Sequence, residues 1–80
     1  MLTTYIQNAM NRATYEMVED GTFYAEIPAF SGVFANTNNL ESCRMQLQEV
    51  LEDWILLGLQ LGHHLPEVDG INLEMHKEVA

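Results

Sequence analysis

Residues 13–18, ATYEMV, and 22–27, TFYAEI, alternate their side chains with the period of a strand, and only Glu19-Asp20-Gly21 separates them. A connection that short cannot cross over a sheet, so the two segments must run antiparallel. Gly21 accepts the positive φ that such a reversal needs. Pro28 lacks a ladder N–H and ends the second segment, Phe30-Ser31-Gly32 reverses the chain again, and VFAN at 33–36 supplies a third strand. The pattern predicts a three-stranded antiparallel meander. Phe23, Ala25 and Ile27 share one face; Tyr24 and Glu26 lie on the other, and Phe34 also points away from the Phe23 face.

Helical periodicity brackets the meander. TTYIQNAMNR at 3–12 reads as a short helix, with Thr3 or Thr4 as its cap and Tyr5, Ile6, Ala9, Met10 and Ala13 near one face. A second, longer helix starts at Asn38 or Asn39, the former with capping-box spacing to Glu41, and runs to about Leu61. Cys43, Leu47, Val50, Leu51, Trp54, Gly58 and Leu61 form its expected core stripe. Gly62 takes the left-handed cap, and Pro66 prevents continuation. Residues 70–75, GINLEM, are suited to a short fourth strand, and 76–80 to a frayed tail. The expected fold is thus α+β, one domain over residues 1–75.

The second half of the long helix is apolar nearly all round: WILLGLQL at 54–61. One sheet face cannot cover every side of such a helix. Trp54, Ile55, Leu56, Leu57 and Leu59 are therefore expected at a homodimer or homotetramer interface; contact with the N-terminal helix of the same chain is the other explanation. A chain of 80 residues buries a modest share of its surface, which also favours association.

Charge narrows the function. Twelve acidic and three basic residues give a net charge of -9. Arg12, Arg44 and Lys77 are scattered and make no phosphate-binding stripe, which argues against direct DNA or RNA binding. A basic protein partner suits the charge, as does simple solubility. Tyr24 and Phe34 on an exposed sheet face are suited to packing, to a protein interface or to base stacking. With Glu26 and the Glu19-Asp20 turn they are the candidate partner contacts.

Chemistry is sparse. His63-His64 follows the helix end, where imidazoles interact favourably with the helix dipole; adjacent histidines supply too few convergent ligands for a metal. Glu19 and Asp20, alone or with Glu26 and a divalent metal, could form a residual hydrolase site, but nothing in the sequence separates their pKa values. Ser31 and Ser42 lack a His partner, and no phosphate-binding glycine loop occurs. The chain is read as non-catalytic, without metal or cofactor. Cys43 is the one cysteine and sits in the apolar stripe, which predicts a buried thiol. No basic-then-apolar leader and no membrane-length apolar run occurs, so the expectation is a cytoplasmic protein.

Taken in order, Asp20-Gly21 before an alternating strand, Glu26-Ile27-Pro28, Phe30, Gly32-Val33, Ala35 and the capped helix carrying Leu47, Leu51 and Trp54 resemble the HicB-like antitoxin family over about residues 13–72. The resemblance implies a degenerate ribonuclease H-like fold without that enzyme's acidic array. It also implies binding to a HicA-type toxin, a small basic ribonuclease that attacks mRNA, whose RNA surface the antitoxin covers. Many members carry a C-terminal DNA-binding domain, and residues 74–80 are too few for one, so operator binding is not carried over. The chain resembles the short single-domain branch. An orphan homo-oligomer and an RNA-binding module are the alternative readings.

Overall fold

The computed structural model describes residues 1–73 of the chain. The elements are α1 (Leu2–Asn11), β1 (Thr14–Met17), β2 (Phe23–Glu26), β3 (Phe34–Thr37) and α2 (Leu40–Leu61). The three strands form one antiparallel sheet in the order β1-β2-β3. The fold is α+β, as the sequence pattern predicts.

The first hairpin is built by local chemistry. Val18 donates its N–H to the Thr22 carbonyl at 2.9 Å, and Gly21 donates to the Val18 carbonyl at 2.9 Å. Gly21 has φ +84°, so the connection is a tight turn completed by a left-handed glycine, a standard three-residue hairpin loop. In the sheet, Tyr15, Ala25 and Ala35 are in register, as are Glu16, Tyr24 and Asn36. Ala25 and Ala35 are buried, which identifies the helix-covered face.

α2 packs across β2 and β3. Its buried stripe is Cys43, Leu47, Leu51, Ile55 and Gly58, while Val50 and Trp54 are half-buried against it. The expected stripe ended on Leu61. That residue is 59% exposed, and Ile55 takes the inward position instead. The i, i+4 sequence from Cys43 leads through Leu47 and Leu51 to Ile55. Cys43 is fully buried, its Sγ 3.5 Å from the Phe23 carbonyl and 3.7 Å from that of Ala35.

Both ends of α2 are closed chemically. The Asn39 side chain accepts the Ser42 N–H at 2.8 Å, so Asn39 and not Asn38 is the cap. At the other end His63 donates to the Gly58 carbonyl and left-handed Gly62 to that of Leu59. In α1 the expected threonine caps are displaced: the helix begins at Leu2, and the Met1 carbonyl accepts the Tyr5 N–H.

α1 packs beside α2 and inserts Tyr5, Ala9 and Met10 into the core. Tyr5 meets Phe30 edge-on with ring centroids 6.1 Å apart, and Phe30 meets Trp54 edge-on at 5.2 Å. The Tyr5 hydroxyl donates to the Pro66 carbonyl at 2.5 Å, tying α1 to the segment after α2. Burial pushes the Tyr5 phenol up, so it stays a donor. That segment returns to the core through Leu65 and Val68, both buried. The exposed guanidinium of Arg12 pairs with Asp69.

The expected fourth strand does not form over the described residues. Asp69 and Gly70, with φ +48° and +79°, instead make a tight reversal bridged by Val68 and Ile71. Asp-Gly is the strongest short hairpin signal, and here it closes a reversal held by the single Val68–Ile71 bridge. Residues 74–75 of that expected strand and the expected tail at 76–80 lie outside the described residues.

Candidate interaction face

Among the described residues, the sheet has one covered and one open face. α1 and α2 lie on the same side, so the opposite face presents Thr14 and Glu16 from β1, Tyr24 and Glu26 from β2, and Phe34 and Asn36 from β3. Strand alternation dictates this set, and the register brings its members together. The sequence left the side occupied by the N-terminal helix undecided; the helix does not cover these residues.

Tyr24 and Phe34 are diagonal neighbours across β2 and β3. Their rings stack with centroids 6.1 Å apart and an interplanar angle of 24°. Phe34 is 54% exposed, so one face of the stacked pair is open to a partner. The Tyr24 hydroxyl donates to Glu26 Oε2 at 3.3 Å. Partial desolvation, then the charge and hydrogen bond of Glu26 and the charge of Glu16, hold the Tyr24 phenol above its ordinary pKa. The phenol therefore remains a neutral donor beside two carboxylates. Thr14, Tyr15, Glu16, Tyr24 and Glu26 line a shallow hollow of about 190 Å³ at the β1 side of this face.

Glu19 and Asp20 sit at the hairpin tip, where Asp20 Oδ1 accepts from both the hydroxyl (2.6 Å) and the N–H (3.0 Å) of Thr22. The Thr22 hydroxyl in turn accepts from the Asn36 amide at 2.9 Å, linking the tip to the open face. The Thr22 hydroxyl bond, then its N–H bond, lowers the Asp20 pKa. A depressed folded-state carboxyl contributes stability above its unfolded pKa and loses it as pH falls through the folded value. The Asp20 side-chain ¹³C titration is expected to have its midpoint below the ordinary carboxylate range, and Thr22→Val is expected to move it back up. An unmoved midpoint in the variant would show that the hydroxyl is not the cause.

Of the expected contacts, Tyr24, Glu26 and Phe34 thus meet on one surface, with Glu19 and Asp20 at its end. Glu16 and Asn36 belong to the same surface and were not singled out by sequence reasoning. Their signal was the strand register, which places both directly beside Tyr24. The expected oligomer residues divide. Ile55 is buried in the chain's own core, and Trp54 is half-buried against Phe30, so α1 and the loops cover part of what looked like a second-subunit surface. Leu59 is half-buried, while Leu56 and Leu57 are 56% and 54% exposed. Leu2, Ile6, Glu52, Ile55, Leu56 and Leu59 line an apolar hollow of about 260 Å³ between the helices.

His63 and His64 follow the α2 cap and are exposed. Among the described residues, no three His, Cys, Asp or Glu side chains are grouped so as to hold a metal ion. No helix among them is long and apolar enough to cross a membrane.

No curated protein matches the chain. Among solved structures it is similar to the crystal structure of TTHA0281 from Thermus thermophilus, with 39% sequence identity, 94% of each chain covered and a TM-score of 0.87. The UPF0150-like family matches residues 4–66, which include most of α1, the whole sheet, all of α2 and the return to Pro66. The chain belongs to the UPF0150-like family.

Proposed function

We propose that the chain is a non-catalytic protein-binding module whose open sheet face receives a small basic partner, in the manner of a HicB-like antitoxin covering a HicA-type toxin. The observation that carries this reading is the Tyr24–Phe34 stack, with Phe34 exposed and Tyr24 half-buried, flanked by Glu16 and Glu26. Aromatic rings supply large, stiff contact area at protein interfaces, and the carboxylates select a cationic counterpart. RNA would face those carboxylates without a cationic stripe: Arg12 is engaged with Asp69, and Arg44 lies on α2 beside Thr3 and Gln7 of α1. The relation of the UPF0150-like family to HicB-like antitoxins supports the choice of partner class.

Tagged chain recovered from its native host is expected to retain a small basic protein in stoichiometric amount. Phe34→Ala is expected to weaken that complex by about thirtyfold or more, the loss typical of a central interface aromatic. A partner held equally well by the variant would move the site off the sheet face.

The exposed Leu56 and Leu57 favour a second reading, an orphan homo-oligomer joined through α2. Recovery of the chain alone, with a light-scattering mass of two or four copies, would favour it.

A further inference from the structure

Among the described residues, β1 has an open long edge. It ends the sheet order and pairs on one side only, with β2. Val18 donates to the Thr22 carbonyl, and backbone groups along an antiparallel strand alternate in direction. The N–H and C=O of Thr14 and Glu16 therefore turn toward β2, and those of Tyr15 and Met17 turn to the open edge. All four β1 residues are exposed.

The same two residues carry an uncovered apolar ledge. Tyr15 and Met17 are in register with Ala25 and Phe23, on the helix-covered side of the sheet. α2 packs on β2 and β3 but does not reach over β1, which leaves Tyr15 36% and Met17 67% exposed. The opposite face of this edge carries Glu16 and, across β2, Glu26, around the hollow beside Tyr24. The edge thus offers backbone pairing, an apolar face and an acidic face together.

We propose that the β1 edge takes an extended segment of a basic partner by strand addition, with its alternate side chains cationic toward Glu16 and Glu26 and apolar over Tyr15 and Met17. The proposal rests on the reading of the open face as a basic partner's site and adds how that partner engages it. Charge decides against a second copy as the occupant. The two-fold pairing that uses both outward-facing residues sets Tyr15 of one copy against Met17 of the other. It also places Glu16 directly opposite Glu16, a destabilising like-charge pair, in a chain of net charge -9.

The test uses the full ¹⁵N-labelled chain and a synthetic peptide of alternating Lys and Val, taken to millimolar concentration. At saturation, hydrogen exchange of the Tyr15 and Met17 amides is expected to slow by about tenfold or more, while that of Glu16, already paired with β2, changes little. The added strand is taken as antiparallel to β1, so the Val residues opposite Tyr15 and Met17 turn their backbone to β1. N-methylation at Val should therefore abolish binding, and N-methylation at Lys should leave it. Shifts at Tyr24, Glu26 and Phe34 with unchanged Tyr15 and Met17 exchange, and equal binding of the two methylated peptides, would overturn strand addition and leave the open-face reading standing. No response at any sheet amide would overturn strand addition and remove the charge argument for the face as well. Tyr15 and Met17 amides protected without peptide, in a particle of two chains, would overturn the proposal and give the edge to a second copy.

Discussion

Phe30→Ala is expected to remove about 3–5 kcal/mol of stability, the range for truncating a buried aromatic. Phe30 is 2% exposed, although it sits between two turn residues in a connection. Its ring is the common neighbour of Tyr5 from α1 and Trp54 from α2. Truncation would leave a cavity where the two helices and the β2–β3 connection meet, and it would forfeit two edge-on ring contacts. A chain of 80 residues has a total stability of roughly 4–12 kcal/mol, so this one change takes a large part of it. Urea unfolding followed by Trp54 fluorescence measures the loss. Phe30→Leu, which keeps most of the volume, should cost clearly less. A loss below about 1 kcal/mol for the alanine variant would mean that Phe30 does not join the helices, since surface changes fall in that range.

Gly58→Leu is expected to destabilise the chain by about 2–4 kcal/mol, even though leucine is the better helix former by about 1 kcal/mol. A Cβ at position 58 would lie 2.6 Å from Leu65 Cδ2. A full side chain would occupy the space that buried Leu65 now fills. Expelling Leu65 forfeits about 1.5–3 kcal/mol of burial. It also loosens the segment carrying Pro66, whose carbonyl accepts the Tyr5 hydroxyl. Thermal unfolding and hydrogen exchange at Val68 and Ile71 read the two consequences separately. Loss of stability with the Val68–Ile71 bridge still protected would show that the variant acts on α2 alone. Unchanged stability would show that Leu65 moves aside at no cost.

How much of this was legible beforehand depends on the distance along the chain over which each contact acts. The Glu19-Asp20-Gly21 reversal, the Gly62 cap and the alternation that separates Tyr24 from Ala25 involve neighbours a few residues apart. Turn sterics, capping and strand pleating therefore declare them in the sequence. The expected α+β order follows from these local rules, as does the buried Cys43 on the helical stripe. The candidate face was legible in part. Tyr24, Glu26 and Phe34 follow from alternation, whereas Glu16 and Asn36 join them only once the register of both pairings is known.

The remaining decisions were tertiary. WILLGLQL announces an apolar helix end but not its cover. The structure assigns Ile55 to the chain's own core and gives Trp54 the Phe30 ring, leaving Leu56 and Leu57 outside. Leu65 and Val68 lie in no periodic segment, so only the folded chain shows that they complete the core. Nor could alternation along β1 reveal that α2 stops short of Tyr15 and Met17, because the pattern records which side a residue faces and not what arrives there. Local backbone chemistry determined the elements and their caps. Long-range packing, in which distant segments compete for the same apolar surface, decided which faces were buried and which edge was left open.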